Sequence, residues 1–107
     1  MKYKIGDGVQ FTKDGKILKS GDNISNYFTE ASGIPTNKIK HGSVGLGENY
    51  NEIFAIIKDI YKSCYLVEYE DDKGKLVTLG FKEDDLKLVN DKNYGKDIIY
   101  LKRLLNK

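Results

Sequence analysis

Residues 53–89 read IFAIIKDIYKSCYLVEYEDDKGKLVTLGFKEDDLKLV, and their alternation decides the fold. Ile53, Ala55 and Ile57 share one side of an extended run, Tyr65, Val67 and Tyr69 alternate with Leu66, Glu68 and Glu70, and Leu76 to Phe81 forms a third apolar run. Short period-2 segments rich in Val, Ile and Tyr are the signature of strands. Asp71-Asp72-Lys73-Gly74 supplies a side chain that can cap backbone amides and a residue free to take positive φ, which closes a hairpin. The stretch therefore predicts one continuous antiparallel meander. Glu83-Asp84-Asp85 predicts a short 3₁₀ turn into a last strand, Leu86 to Val89. Both faces of Tyr65–Tyr69 carry apolar side chains, so alternation alone leaves open which is inward. The expected core is Val9, Phe11, Ile57, Leu66 or its neighbours, Val77, Leu79 and Phe81.

Outward from the meander the pattern weakens. Residues 3–12 predict a first strand with Ile5, Val9 and Phe11 as apolar positions, and Gly6-Asp7-Gly8 as a tight turn or bulge before the strand proper. Lys16–Lys19, between the turn glycines 15 and 21, is a candidate hairpin partner. Ile24 to Ala31 fits one or two helical turns, capped by Asp22 or Asn23 and stopped by Gly33. The only proline, Pro35, biases Ile34 towards extended backbone. Residues 36–49 hold three glycines and little periodicity, which predicts an exposed loop with at most one edge strand. Near the end, Ile98, Leu101 and Leu105 recur at helical spacing behind Asp97, so 97–106 predicts an amphipathic helix docked on the sheet.

Composition sets mild bounds. The 107 residues suit a single domain, and a 32% share of charged residues fits a folded, soluble chain. No run reaches the roughly 18 to 20 apolar residues that span a bilayer, and the first residues lack the apolar segment of a secretion signal. Cys64 is the lone cysteine, which fits a reducing cytoplasm. Charge is uneven: residues 1–47 hold seven Lys against four acids, 48–90 six Lys against ten acids, and 91–107 five bases against two acids. The middle is acidic and the ends are basic.

The order Lys4-Ile5-Gly6-Asp7-x-Val9-x-Phe11, a long variable loop, an Ile-rich strand, Tyr65-Leu66-Val67-Glu68-Tyr69, Gly74, Leu79-Gly80-Phe81 and Glu83-Asp84-Asp85-Leu86-Lys87-Leu88-Val89 resembles the small SH3-like barrels of the Tudor and KOW type found in bacteria and phages. The resemblance covers residues 3–12 and 53–89. It implies a mainly β fold, a barrel of about five antiparallel strands, carrying a long insertion at 13–52 and the C-terminal helix at 97–106. Both additions depart from that family. Barrels of this kind grip cationic or proline-rich ligands, or stack bases, with rings at strand ends and in loops.

Few residues suggest catalysis. His41 is the only histidine and lies in a Lys/Gly-rich loop. A His41–Cys64 nucleophile pair is conceivable, but an exposed loop histidine and a half-buried strand cysteine is the plainer expectation. With no second cysteine or histidine, no metal or other cofactor is expected. Gly42-Ser43-Val44-Gly45-Leu46-Gly47 lacks the Gly-Lys-Ser/Thr ending of a nucleotide loop and reads as a mobile glycine-rich loop, with phosphate cradling as the alternative. The acidic runs Glu68–Asp72 and Glu83–Asp85 read as solvated turns, with mimicry of an anionic partner as the alternative.

Recognition is the better-supported expectation. An insertion of about 40 residues exceeds ordinary connection lengths, and such loops are usually functional or disordered. Tyr27, Phe28 and Tyr50, flanked by Lys38 and Lys40, with Tyr61 on the central hairpin, are the expected contact residues. The competing expectation is that the insertion pairs as extra strands and extends the core. A protein partner is favoured. The alternative, nucleic acid, would be met by Lys2, Lys4, Lys38, Lys40, Lys96, Lys102 and Arg103; it is disfavoured by the small net charge of +2 and the single arginine. The Lys/Asn/Ile/Tyr-rich composition associates the chain with phages and mobile elements. The expectation that follows is a non-enzymatic cytoplasmic module that inhibits a host protein, such as a nuclease or defence complex.

Overall fold

The computed structural model describes residues 2–24, 33–42, 45–46, 54–71 and 73–89. Six strands form one antiparallel sheet: β1 (Gly8–Lys13), β2 (Lys16–Ile17), β3 (Phe54–Ile60), β4 (Tyr65–Glu70), β5 (Leu76–Phe81) and β6 (Leu86–Leu88). Thr36–Lys38 and Glu83–Asp85 form 3₁₀ turns. The fold is mainly β, its strands curled into a half-barrel. Among the described residues there is no α-helix; the helix expected at 97–106 and most of the helical turns expected at 24–31 lie outside them.

The meander forms as the alternation requires. β3 pairs with β4 and β4 with β5, Val67 standing opposite both Ile57 and Leu79. β3 runs as far as Ile60. A register shift between Ile57 and Asp59 absorbs one residue and lets Ile60 pair with Tyr65. At the β4–β5 turn, Asp71 Oδ1 accepts hydrogen bonds from the amides of Lys73 (2.9 Å) and Lys75 (2.8 Å). Gly74 takes φ +78°, where a side chain would be strained. The first hairpin turns through Asp14 (φ 54°) and Gly15 (φ 78°), the two left-handed residues that a two-residue loop between twisted strands needs.

β1 is the hub. The carbonyls of Asp7 and Phe11 accept from the Ile57 and Leu18 amides, while that of Gly8 accepts from Val89. Successive carbonyls point to opposite edges of a strand, so β3 and β2 share one edge of β1 and β6 occupies the other. This brings Phe11 opposite Leu86 and Val9 opposite Leu88.

Inside the curl lie Val9, Phe11, Ala55, Ile57, Tyr65, Val67, Tyr69, Val77, Leu79, Phe81 and Leu86, all buried. Phe11 meets Phe81 at 4.7 Å between ring centroids and Tyr69 edge-on at 5.2 Å. Each such ring contributes about 1.5–3 kcal/mol through area removed from water. The Tyr65–Tyr69 ambiguity resolves without a choice: Leu66 and Glu68, on the other face, are buried as well, and so are Phe54 and Ile56 in β3. Glu68 Oε1 lies 3.8 Å from Lys58 Nζ.

The described part of the insertion belongs to this core. Ile24, Ile34, Ile39 and Leu46 are buried in the same cluster. Lys40 exchanges backbone hydrogen bonds with Thr78 on the free edge of β5 (3.0 and 2.9 Å), and Leu46 bridges to Asp71. Of the loop expected at 36–49, Thr36, Asn37, Lys38, Lys40, His41 and Gly42 are exposed and Lys40 bridges to the sheet edge, while Ile39, Gly45 and Leu46 are buried.

Candidate functional site

Among the expected contact residues, Lys38 ends the first 3₁₀ turn and Lys40 lies beside β5; both are exposed. Ile39 between them is buried, so alternate side chains point outward from a backbone fixed by Thr78. Tyr61 sits instead in the β3–β4 turn, half-buried against the core, its amide bonded to the Cys64 carbonyl at 2.9 Å and its hydroxyl donating to Asp59 Oδ2 at 3.3 Å. Burial, then the Asp59 charge, raises the Tyr61 pKa, so the phenol stays neutral. β4 and β5 separate it from the Lys40 segment. Tyr27, Phe28 and Tyr50 lie outside the described residues. The two environments foreseen for His41 and Cys64 are distinct: the imidazole is exposed next to Lys40, and the thiol is fully buried rather than half-buried.

What fixes the Lys38–His41 segment is a close approach that the sequence does not advertise. Gly42 lies so tightly on the β4–β5 hairpin that an added Cβ would collide with Val77 Cγ2 and come within 2.7 Å of Asp71 Oδ2. Leu46 then donates its amide to the Asp22 carbonyl at 3.1 Å. Gly42 and Leu46 of the glycine-rich run thus pack against Asp71. Asp71, buried, caps its own turn and seats the insertion at once. A signal was present in Asp-x-x-Gly-Lys, but only for the turn.

The hairpin tip that Asp71 organises carries Lys73 and Lys75, both exposed. Lys38, Lys40 and His41 are exposed on the insertion, which runs antiparallel to β5 from Lys40 opposite Thr78 to Gly42 against Val77. None of the four ammonium groups joins an ion pair among the described residues.

Lys2 and Lys4, expected to extend a basic surface, are exposed, with their backbone amides taken by carboxylates. The Lys2 amide donates to Glu83 Oε1 at 2.6 Å, and the Tyr65 hydroxyl donates to the same oxygen at 2.9 Å while accepting from the Tyr3 amide at 3.0 Å. The Tyr3 hydroxyl reaches the Leu86 carbonyl, also at 3.0 Å. These bonds hold the Glu83 carboxyl below its ordinary range, with the Lys2 amide the larger cause, and burial raises the Tyr65 phenol. The network clamps the first residues to the second 3₁₀ turn. The Lys4 amide is taken by Asp7 Oδ2 at 2.9 Å. Lys96, Lys102 and Arg103 lie outside the described residues.

A cavity bounded by Phe11, Thr12, Leu18, Ile24, Phe81 and Asp85 measures about 10 Å³, room for one water at most. Burial raises the pKa of Asp85 at its rim, with Asp84 adding to the rise and Lys82 opposing it. No group of three or more His, Cys, Asp or Glu side chains converges among the described residues in a way that would hold a metal ion, and no described helix is long and apolar enough to cross a membrane. Comparison with protein families, curated proteins and solved structures finds no match to this chain.

Proposed function

We propose that this chain is a non-enzymatic binding module on an SH3-like barrel, with the insertion as its recognition element and another protein as its partner. One observation carries the reading. The insertion is seated at Thr78 and Asp71 and roots four apolar side chains in the core, yet keeps Lys38, Lys40 and His41 outside. A polar loop fixed on a rigid scaffold presents its side chains without the ordering cost that a flexible segment brings to binding. The order of elements supports the barrel: a long first connection, a three-strand meander, then a 3₁₀ turn returning the last strand to β1. The composition points to a phage or mobile-element protein, and inhibition of a host nuclease or defence complex is the role proposed for it.

A photo-crosslinking residue placed at position 38, 40 or 61 tests the reading in a host lysate. Discrete protein adducts from positions 38 and 40 are expected. Adducts to nucleic acid alone, with a gel shift that weakens steeply as salt rises, would replace it with the nucleic-acid alternative.

A further inference from the structure

We propose that the outer face of the sheet, the one turned away from the curl, is the docking surface for the chain's own segment 97–106. This goes beyond the binding-module reading and does not depend on it. Cross-strand register lays the face out as a row: Gly8 beside Ile56, Ile56 beside Glu68 and Glu68 beside Thr78, with Gln10 beside Phe54 next to it. In an antiparallel sheet with one face on the core, the other face is commonly wet. Here Phe54 and Gln10 are 0% and 1% exposed, and Ile56, Glu68 and Thr78 are buried as well. Phe54, Ile56 and Val89 stand outside the apolar cluster that fills the curl, so their burial calls for a second layer. Gly80, opposite Leu66, is also buried on this face. A glycine inside a strand marks a place where another backbone comes close.

Where the chain leaves the sheet selects the occupant. The Val89 amide donates to the Gly8 carbonyl at 2.9 Å, so residue 90 starts at one end of the row from Gly8 to Thr78. The insertion is rooted on the other side, because Ile24, Ile34, Ile39 and Leu46 all belong to the cluster inside the curl. Beyond Val89, the stripe of Ile98, Leu101 and Leu105 is an apolar helix face in search of a partner, with Arg103 on the opposite side. Ten helical residues extend about 15 Å, and a row across four strands spans about 14 Å, so the stripe is long enough to cover it. Removing both apolar surfaces from water holds the two layers together. Docking closes the back of the sheet and leaves Arg103 in water.

Nuclear Overhauser spectra of the whole isotope-labelled chain test this without any substitution. Cross-peaks are expected from the Phe54 ring and the Ile56 methyl groups to the methyl groups of Ile98, Leu101 and Leu105. Leu101→Asp should shift the amide resonances of Gln10, Phe54, Ile56 and Glu68 more than those of Phe11 and Phe81 inside the curl. Arg103→Asp should leave both sets in place. The proposal is overturned if the Phe54 and Ile56 cross-peaks run to residues 25–32 or 47–53 instead, or, in a mixed-label sample, to a second copy. It is overturned equally if no cross-peak reaches 98–105, or if Arg103→Asp moves the outer-face amides as far as Leu101→Asp does. Should Leu101→Asp fail to fold, the cross-peaks of the parent chain decide alone.

Discussion

Single atoms decide several properties of this fold. A methyl group at Gly42 has no space between Val77 and Asp71, so Gly42→Ala should destabilise by about 1–3 kcal/mol, as overpacking does. A urea midpoint lowered with unchanged slope would verify it. Tyr65→Phe keeps the ring but removes the hydroxyl that links the Tyr3 amide to Glu83; about 1–2 kcal/mol should be lost, and amide exchange at Tyr3 should quicken. Glu83 fixes the sign of an acid effect. Its native pKa lies below the ordinary 4.5, so its stabilisation is complete above that value and disappears as pH falls through the native pKa. Glu83→Gln should therefore flatten the fall in stability below about pH 4.5, seen as thermal midpoints that converge with the parent protein at low pH.

At the scale of elements, the strands were legible and their supports were not. β5 and the second 3₁₀ turn occupy the expected residues, and every residue expected in the strand core is buried. Alternation reads well where a strand has one wet face. It was silent on Tyr65–Tyr69 because both faces of β4 are covered. The insertion resisted reading for another reason: Ile34, Ile39 and Leu46 are spaced irregularly, so the burial of each depends on a distant strand rather than on a local period. Of the expected contact residues, Lys38 and Lys40 were legible as exposed cations. The β1–β2 hairpin offers a test at this scale. Lys13 and Lys16 stand directly opposite each other, an arrangement of like charges that costs stability. Lys16→Glu should raise it by about 0.2–1 kcal/mol, measured by denaturant unfolding, and a drop would show that the pair is held by other contacts.

For the molecule as a whole, the insertion is part of the fold. Removing residues 22–48 behind a short Gly-Ser bridge deletes Ile24, Ile34, Ile39 and Leu46 from the core, about 6–12 kcal/mol of burial at about 1.5–3 kcal/mol each. A domain of this size has about 5–15 kcal/mol in total. The truncated chain should show no cooperative thermal transition; one that melts sharply would mean that the half-barrel stands without the insertion. The position of β1 between β3 and β6 reaches beyond stability into biogenesis. Val9 cannot meet Leu88 until the ribosome has released nearly all of the segment between them. β1, emerging before β6, must wait unpaired on that edge while the segment between them is made, and nascent chains are meanwhile exposed to chaperones and proteases. A nascent chain arrested before Leu88 clears the exit tunnel should be cut readily within β1, and one arrested after it should resist.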